Sequence, residues 1–272
     1  MLQKNKIPFN LRCLVGNKLS YTTKIHLHLF ENLLNILPIW DRNCFCPCCG
    51  IHMNHMFTVD YPKITDFLLP VQFPDNTHAV CPICGSYPRH RILAYYLKKK
   101  DMISKLRNKN VIYFAEENCM KLFMEKQGIH SKSADINGEA DLYVNMENMP
   151  FDDSSIDVII CNHVLEHVGD YRRALHEVHR VITGGGMFLC TVPLNPDFET
   201  TYEDKAITTP EERLRAFGAK DHNRLFGSDF ADILKFFGFR VEVINGNNLP
   251  SEIVPICFPT RLDRNELYVC IK

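Results

Sequence analysis

Two copies of one short pattern carry the clearest chemistry in the sequence. Cys46-Pro47-Cys48-Cys49-Gly50 and Cys81-Pro82-Ile83-Cys84-Gly85 both read Cys-Pro-x-Cys-Gly. Each turn puts two thiolates on one side of a tight knuckle, and the following glycine lets backbone N–H groups turn toward sulfur. Two knuckles supply four ligands for tetrahedral zinc: Cys46, Cys49, Cys81 and Cys84. With every position filled by protein, such a zinc is structural and not catalytic. Cys44 and Cys48 are spare thiols able to exchange ligand duty, and His52 and His55 are further alternatives. The remaining cysteines, Cys13, Cys119, Cys161, Cys190, Cys257 and Cys270, are scattered, mostly inside apolar runs, as small core residues are. No secretory leader is read at Met1–Asn10, and no run approaches the roughly 18–20 apolar residues of a membrane span. A reducing, cytoplasmic setting is expected, where paired CxxC motifs read as metal ligands before disulfides.

The elements that must position the chemistry follow from apolar spacing. Thr22–Leu37 has the spacing of an amphipathic helix, stopped by Pro38; His26 and His28 on it read as packed or solvated. Arg89–Lys100 reads as a second helix, with Ile92, Leu93, Tyr96 and Leu97 on one face. From Val111 onward short apolar strands alternate with helical segments, which predicts an α/β fold with a doubly wound, mostly parallel sheet. A capped helix is predicted from near Ser228, and Gly184–Gly186 reads as a helix-to-strand turn. The expected organisation is an N-terminal helix, a four-cysteine zinc-binding module and a linking helix over 1–100, then a sheet domain over 101–272 with a lid about 195–227.

Asp157–Val168 (DVIICNHVLEHV) and Arg173–Thr191 (RALHEVHRVITGGGMFLCT) carry a resemblance. Glu166-His167-Val168 is similar to the "EHV" that ends the fourth strand of class I S-adenosylmethionine-dependent methyltransferases of the type 11-like kind. Arg180–Gly186 is similar to the "RVLKPGG" that precedes their fifth strand. The resemblance covers roughly Val111–Ile271. CPICGSYPRHR, Asp221–Gly227 and Glu266–Lys272 resemble a subfamily with an N-terminal zinc-knuckle module, found near bacterial surface-polysaccharide genes. The resemblance implies a seven-stranded Rossmann-like methyltransferase sheet beside a small zinc-ribbon-like module. It also implies S-adenosylmethionine as cofactor and a structural zinc.

The cofactor site follows from that reading. Strand ends of a doubly wound sheet form the ligand crevice, and an acidic group closing the second strand accepts the ribose hydroxyls: here Asp135, followed by Ile136. Asn145 stands where the family has Asp toward the adenine amino group, and Met146 is a candidate for the adenine face, with core packing an equal rival. Asn162 and His163 end the fourth strand, where the methyl group would sit. The first turn, Phe114-Ala115-Glu116-Glu117, has no glycine; Glu117 is the candidate partner of the methionine ammonium. His163, Glu166 and His167 resemble an E-x-x-E-H metal cluster with His in the first position, which reads against bound magnesium and for a helix brace. In the lid, His222 is the candidate general base from an ordinary pKa of about 6.5, with His163 the second catalytic candidate. Tyr202 and Arg224 are the substrate-binding candidates, a buried Asp221–His222–Arg224 brace being the alternative.

The chain has 272 residues, 46% hydrophobic and 23% charged, with net charge −1, which excludes wholesale disorder and a coiled coil. Residues 1–100 hold 12 Lys+Arg against 5 Asp+Glu, and the remainder is acidic. Four zinc-bound thiolates contribute about −2 and soften that basic excess. The favoured function is O-methylation of a sugar or small polar metabolite. An RNA methyltransferase whose basic zinc module grips RNA through Arg89, Arg91 and Lys98–Lys100 is the second reading. A non-catalytic scaffold, supported by the glycine-free turn, is the third.

Overall fold

The computed structural model describes residues 44–54, 56–59, 77–137, 140–250, 253 and 266–272. The helix expected over Thr22–Leu37, with His26 and His28, lies outside the described residues, as do Cys13, His55 and Cys257.

The first knuckle forms the turn of a hairpin between β1 (Cys44–Cys46) and β2 (Ile51–Met53). β3 (Phe57–Val59) pairs with β4 (Thr77–Val80), which delivers the chain to the second knuckle. Tyr87 opens α1 (Pro88–Lys99), with Pro88 in the first turn, where its missing N–H is no loss. A short α2 (Met102–Leu106) leads into the sheet region.

That region alternates β5 (Val111–Phe114), α3 (Asn118–Lys126), β6 (Ser131–Asp135), β7 (Leu142–Tyr143), β8 (Ile156–Asn162), α4 (Tyr171–Val181) and β9 (Ile182–Thr191). Then come α5 (Pro210–Phe217), α6 (Phe230–Phe236), β10 (Arg240–Asn245) and β11 (Glu266–Ile271). Seven strands form one sheet in the order β10-β11-β9-β8-β5-β6-β7. β5 to β9 run parallel, while β11 is antiparallel to both β9 and β10. The fold is thus the α/β, mostly parallel sheet that the strand–helix alternation predicted, with the seven strands and Rossmann-like form that the resemblance implied.

Side chains alternate across this sheet with period two. Val111, Tyr113, Val158, Ile160, Leu189 and Val269 share a core with α1 and α3. Ile112, Phe114, Ile159, Cys161, Phe188 and Cys270 share a second core with α4 and α6. Helices on both faces explain why β5 and β8 read as unbroken apolar runs. The first core also takes in Cys44, Cys46, Cys48, Met53, Met56 and Cys81, so packing runs unbroken from the knuckles through α1 to the sheet. Lys98 Nζ at the end of α1 reaches back to Pro47 O at 2.7 Å.

Two local expectations change. Gly184–Gly186 lie inside β9 and form an irregularity, because Ile156 pairs with Ile182 and Val158 with Met187. α6 starts at Phe230, two residues beyond Ser228, whose hydroxyl is spent on Phe198 O.

Candidate functional site

The parallel strands β5, β6 and β8 end on one edge of the sheet, where a doubly wound sheet places its ligand crevice. After β5, Ala115 takes φ 49°, the left-handed region that glycine ordinarily supplies. The backbone geometry of a glycine turn is therefore present without a glycine. Ala115 N–H is held by Ala134 O at 2.9 Å. After β8, His163 takes φ 53°, a second left-handed non-glycine residue on the same edge. Phe114 before the turn is buried in the second core.

Glu117, the residue before α3, is clamped from the cysteine-rich side. Its Oε1 accepts from His90 Nε2 at 2.7 Å and from Arg89 Nη2 at 3.2 Å and Nε at 3.3 Å. Tyr87 N–H donates to His90 Nδ1 at 3.0 Å, which fixes the proton on Nε2. Burial pushes the Glu117 carboxyl up, but the His90 hydrogen bond and the Arg89 charge outweigh it and hold it below its ordinary value. Burial likewise pushes His90 below the ordinary imidazole value. Arg89 is a brace into the first turn, and Oε1 is spent on this clamp.

Asp135 closes β6, half-buried, its Oδ1 accepting from Asn137 N–H at 2.8 Å. The next residue, Ile136, is 55% exposed, an apolar side chain left on the strand end. Asn145 is exposed and its Oδ1 accepts from Glu147 N–H at 2.9 Å. Met146 is buried among Phe114, Ala134 and Met149, so it is a core residue and not an adenine platform. Asn162 also departs from the site. It is buried, donates to Tyr113 Oη at 2.7 Å, and accepts from Thr191 Oγ1 at 3.2 Å, tying β5, β8 and β9 together.

The segment 195–227, the expected lid, folds back onto the loop after β8. Leu194 and Tyr202 make bridges to Phe226 and Leu225, and α5 lies between the bridging segments. Arg224 is fully buried and its donors are taken. Nε donates to Glu203 Oε1 at 2.6 Å; Nη1 to Leu165 O and Val168 O at 2.6 and 2.7 Å; Nη2 to Gly169 O at 2.9 Å. These bonds tie it to Glu203 and the loop after β8, and the expected brace with Asp221 and His222 is not among them. Tyr202 is a packing residue whose ring lies 5.7 Å from Phe217.

The same segment brings His222 against the Glu166-His167 pair. The His167 and His222 rings meet edge to face at 4.8 Å. His222 Nδ1 lies 3.1 Å from Phe217 O, so Nδ1 carries the proton. Burial, followed by the neighbouring His167, pushes His222 down to about 4, so it is not the ordinary imidazole expected of a general base. Burial, followed by the Arg89 charge, pushes His163 well below its usual value. Burial pushes Glu166 up to about 8. The grouping of Glu166 with His222 was invisible in sequence, because 55 residues of helix, strand and lid separate them.

On the other side of Glu117, the four knuckle sulfurs converge. Cys46, Cys49, Cys81 and Cys84 Sγ all lie within 4.8 Å of one another, with Cys46–Cys84 at 3.7 Å and Cys49–Cys81 at 3.9 Å. Tetrahedral zinc with Zn–S of about 2.3 Å requires sulfurs about 3.8 Å apart, so the donor set fits that ion. Gly50 and Gly85 take φ 78° and 72° and return their N–H groups to Cys46 O and Cys81 O. Cys44 Sγ points to Asn54 O and Cys48 Sγ to Met120 Sδ, which removes both from ligand duty. His52 is an exposed strand residue stacked on Phe45.

Residues 124–190, from the end of α3 to β9, match the family model described as a methyltransferase domain. A demethylmenaquinone methyltransferase of Staphylococcus epidermidis is 43% identical over 58 residues, 20% of this chain and 24% of that protein. A probable S-adenosylmethionine-dependent methyltransferase of Mycolicibacterium smegmatis is 30% identical over 98 residues, 36% of this chain and 34% of that protein. The chain thus spans about a quarter to a third of the length of these curated relatives. A solved S-adenosylmethionine-dependent methyltransferase from Archaeoglobus fulgidus is similar with TM-score 0.44 and 15% identity, over 69% of this chain and 95% of that one. The match to that family model is confined to the segment from 124 to 190.

Proposed function

We propose that this chain is an S-adenosylmethionine-dependent methyltransferase that methylates an oxygen of a sugar or small polar metabolite and is held together by a structural zinc. The observation that carries the reading is the placement of Ala115, Asp135 and Ile136 at the neighbouring ends of the parallel strands β5 and β6. Ala115 supplies the glycine-like turn there, and Asp135 with exposed Ile136 closes β6 beside it. This lies on the sheet to which the methyltransferase-domain match belongs.

The cofactor supplies an electrophilic methyl group on a sulfonium. The chain's part is alignment: the Ala115 turn lets the ligand approach the backbone, Asp135 accepts ribose hydroxyls, and Ile136 flanks the base. Methyl transfer would be an in-line displacement in which the acceptor O–C bond forms as the C–S bond breaks and the hydroxyl proton leaves to solvent, so positioning would contribute most of the rate. The mouth beside His163 is polar, lined by His163, His167 and Glu166, which suits a hydroxyl-bearing acceptor. The family match ends at residue 190, before the lid, so the acceptor class rests on these residues. Zinc would sit among Cys46, Cys49, Cys81 and Cys84. Of the residues of the nucleic-acid reading, Arg91 is buried with Nη1 on Ser86 O and Arg89 is paired with Glu117, while Lys98, Lys99 and Lys100 stay exposed at the end of α1.

Binding of S-adenosylhomocysteine, read as a rise in melting temperature, tests the cofactor reading. Asp135→Ala should abolish the shift with the fold intact. No shift in the folded, zinc-loaded protein would sink the reading.

A further inference from the structure

We propose that Glu166, His167 and His222 form a second metal site, for a first-row divalent transition ion, at the mouth of the crevice and apart from the cysteine knuckles. One carboxylate oxygen and two imidazole nitrogens from these residues lie within 4.8 Å of one another. His167 Nε2 is 3.8 Å from Glu166 Oε1, and His163 Nδ1 flanks the same oxygen at 3.5 Å.

Glu166 gives the independent reason. Its side chain is 0% exposed, and both carboxylate oxygens lack a hydrogen-bond partner among the described residues. A buried carboxyl group with no partner for either oxygen is costly in either protonation state, and such an orphan points to a group that completes it. The neighbouring guanidiniums do not. Arg224 spends its donors on Glu203, Leu165, Val168 and Gly169, and Arg89 is held by Glu117.

The imidazoles are oriented as ligands are. Metal-bound histidines give their other ring N–H to a carbonyl or carboxylate, which fixes the tautomer. His222 Nδ1 faces Phe217 O at 3.1 Å, and His167 Nδ1 faces Asp221 O at 3.3 Å and Asp221 Oδ2 at 3.4 Å. Both rings are left with Nε2 as the lone-pair nitrogen. The lid latch that places His222 here, Asn223 N–H on Glu166 O at 2.8 Å and Asn223 Nδ2 on His167 O at 2.6 Å, is made by backbone and amide groups, so it leaves the three ligand atoms free.

Two nitrogens and one carboxylate oxygen suit Mn²⁺, Fe²⁺, Co²⁺, Ni²⁺ or Zn²⁺ over Mg²⁺ or Ca²⁺, which take mostly oxygen. Three protein ligands leave open positions, the mark of a reactive site as opposed to a structural one. Metal binding here stands without the methyl-transfer reading. The further role, coordinating an oxygen of the acceptor, rests on that reading.

The test titrates Co²⁺ into the full-length, zinc-loaded protein and follows the visible absorption of bound cobalt. About one equivalent should bind saturably without the near-ultraviolet thiolate-to-metal band that would mark the cysteines. Glu166→Gln and His167→Asn should each weaken this ~10-fold or more, with zinc content unchanged. Circular dichroism checks the fold. If Glu166→Gln fails to fold, His167→Asn, at a side chain 37% exposed, decides. No saturable cobalt, cobalt appearing only with the thiolate band, or equal binding in the variants overturns the proposal. The S-adenosylhomocysteine shift is measured in parallel, so loss of the cofactor reading and loss of the metal site are separate results.

Discussion

Glu117 accepts a 2.7 Å hydrogen bond from His90 Nε2, across 27 residues of sequence. His90 stands three residues into the helix that follows the second cysteine knuckle, and Glu117 stands between the first strand's turn and the next helix. A pair that closes the proposed cofactor turn therefore depends on a helix whose start is set by cysteines. Removing Glu117 as Glu117→Ala strands His90 in the core with its N–H unpaired, at a cost of about 1–3 kcal/mol. It should also weaken S-adenosylhomocysteine binding. Urea denaturation and a binding isotherm measure the two, and a change in neither would refute the link.

Zinc removal tests the same relationship from the other end. Cys81→Ser/Cys84→Ser, or a strong chelator, should release about one equivalent of zinc and lower the melting temperature in one transition. The knuckle cysteines share a core with Val111 and Val158 of the sheet, so the two parts melt together. A separate early transition, with the sheet's transition unchanged, would show that they are independent.

Ala115 holds a left-handed φ of 49°, where a Cβ costs ~1 kcal/mol or more. Ala115→Gly should therefore raise stability by about 1 kcal/mol and leave cofactor binding intact. Thermal denaturation checks this. A loss of stability would mean that the methyl group packs in a way that outweighs the backbone strain.

Arg224 separates brace from ligand. Arg224→Met removes four buried hydrogen bonds, leaving Leu165 O and Gly169 O without this donor while Glu203 keeps Arg172 and Val168 O keeps Asn223 Nδ2, and should cost about 3–5 kcal/mol. Arg224→Lys should not rescue it, because an ammonium cannot span the fork. A stable Arg224→Lys protein with altered substrate affinity alone would return the residue to the substrate.

Glu177 gives a pH dependence with a defined sign. Its carboxylate accepts from Arg180 Nε at 2.7 Å and Arg180 Nη2 at 2.8 Å, which holds it below its ordinary value. A depressed carboxyl contributes stability that is present above its unfolded value and is lost as pH falls through the folded one. Glu177→Gln should therefore be less stable than the parent at pH 7. The gap should close as pH falls below about 4.5, the ordinary carboxyl value. Urea midpoints across that range measure it, and a gap that widens toward acid would contradict the assignment.

Much of the fold was legible because its signals are local. The apolar runs of β5 and β8, the helix spacing of α1 and the two knuckles each lie within a dozen residues, and the structure keeps all of them. The lid was not legible in the same way. A buried Arg224 with four acceptors and a substrate-binding arginine look identical in sequence. Met146 and Asn162 sit at the right strand ends, yet a slight turn of each side chain commits it to the core and to Tyr113. His222 joins Glu166 through a lid latch that no local pattern announces.

The unbroken packing from Cys46 through Leu93 and Leu97 to Val111 also bears on how the chain can be cut and recombined. A shortened protein beginning after residue 100 would bare the apolar face of β5 and α3 to water and leave Glu117 without His90 and Arg89. Grafting only the later segment onto another chain would therefore transplant a sheet lacking one wall, prone to self-association through that face. The cysteine-bearing part and the strand–helix part form one heritable unit, to be moved, swapped or engineered together.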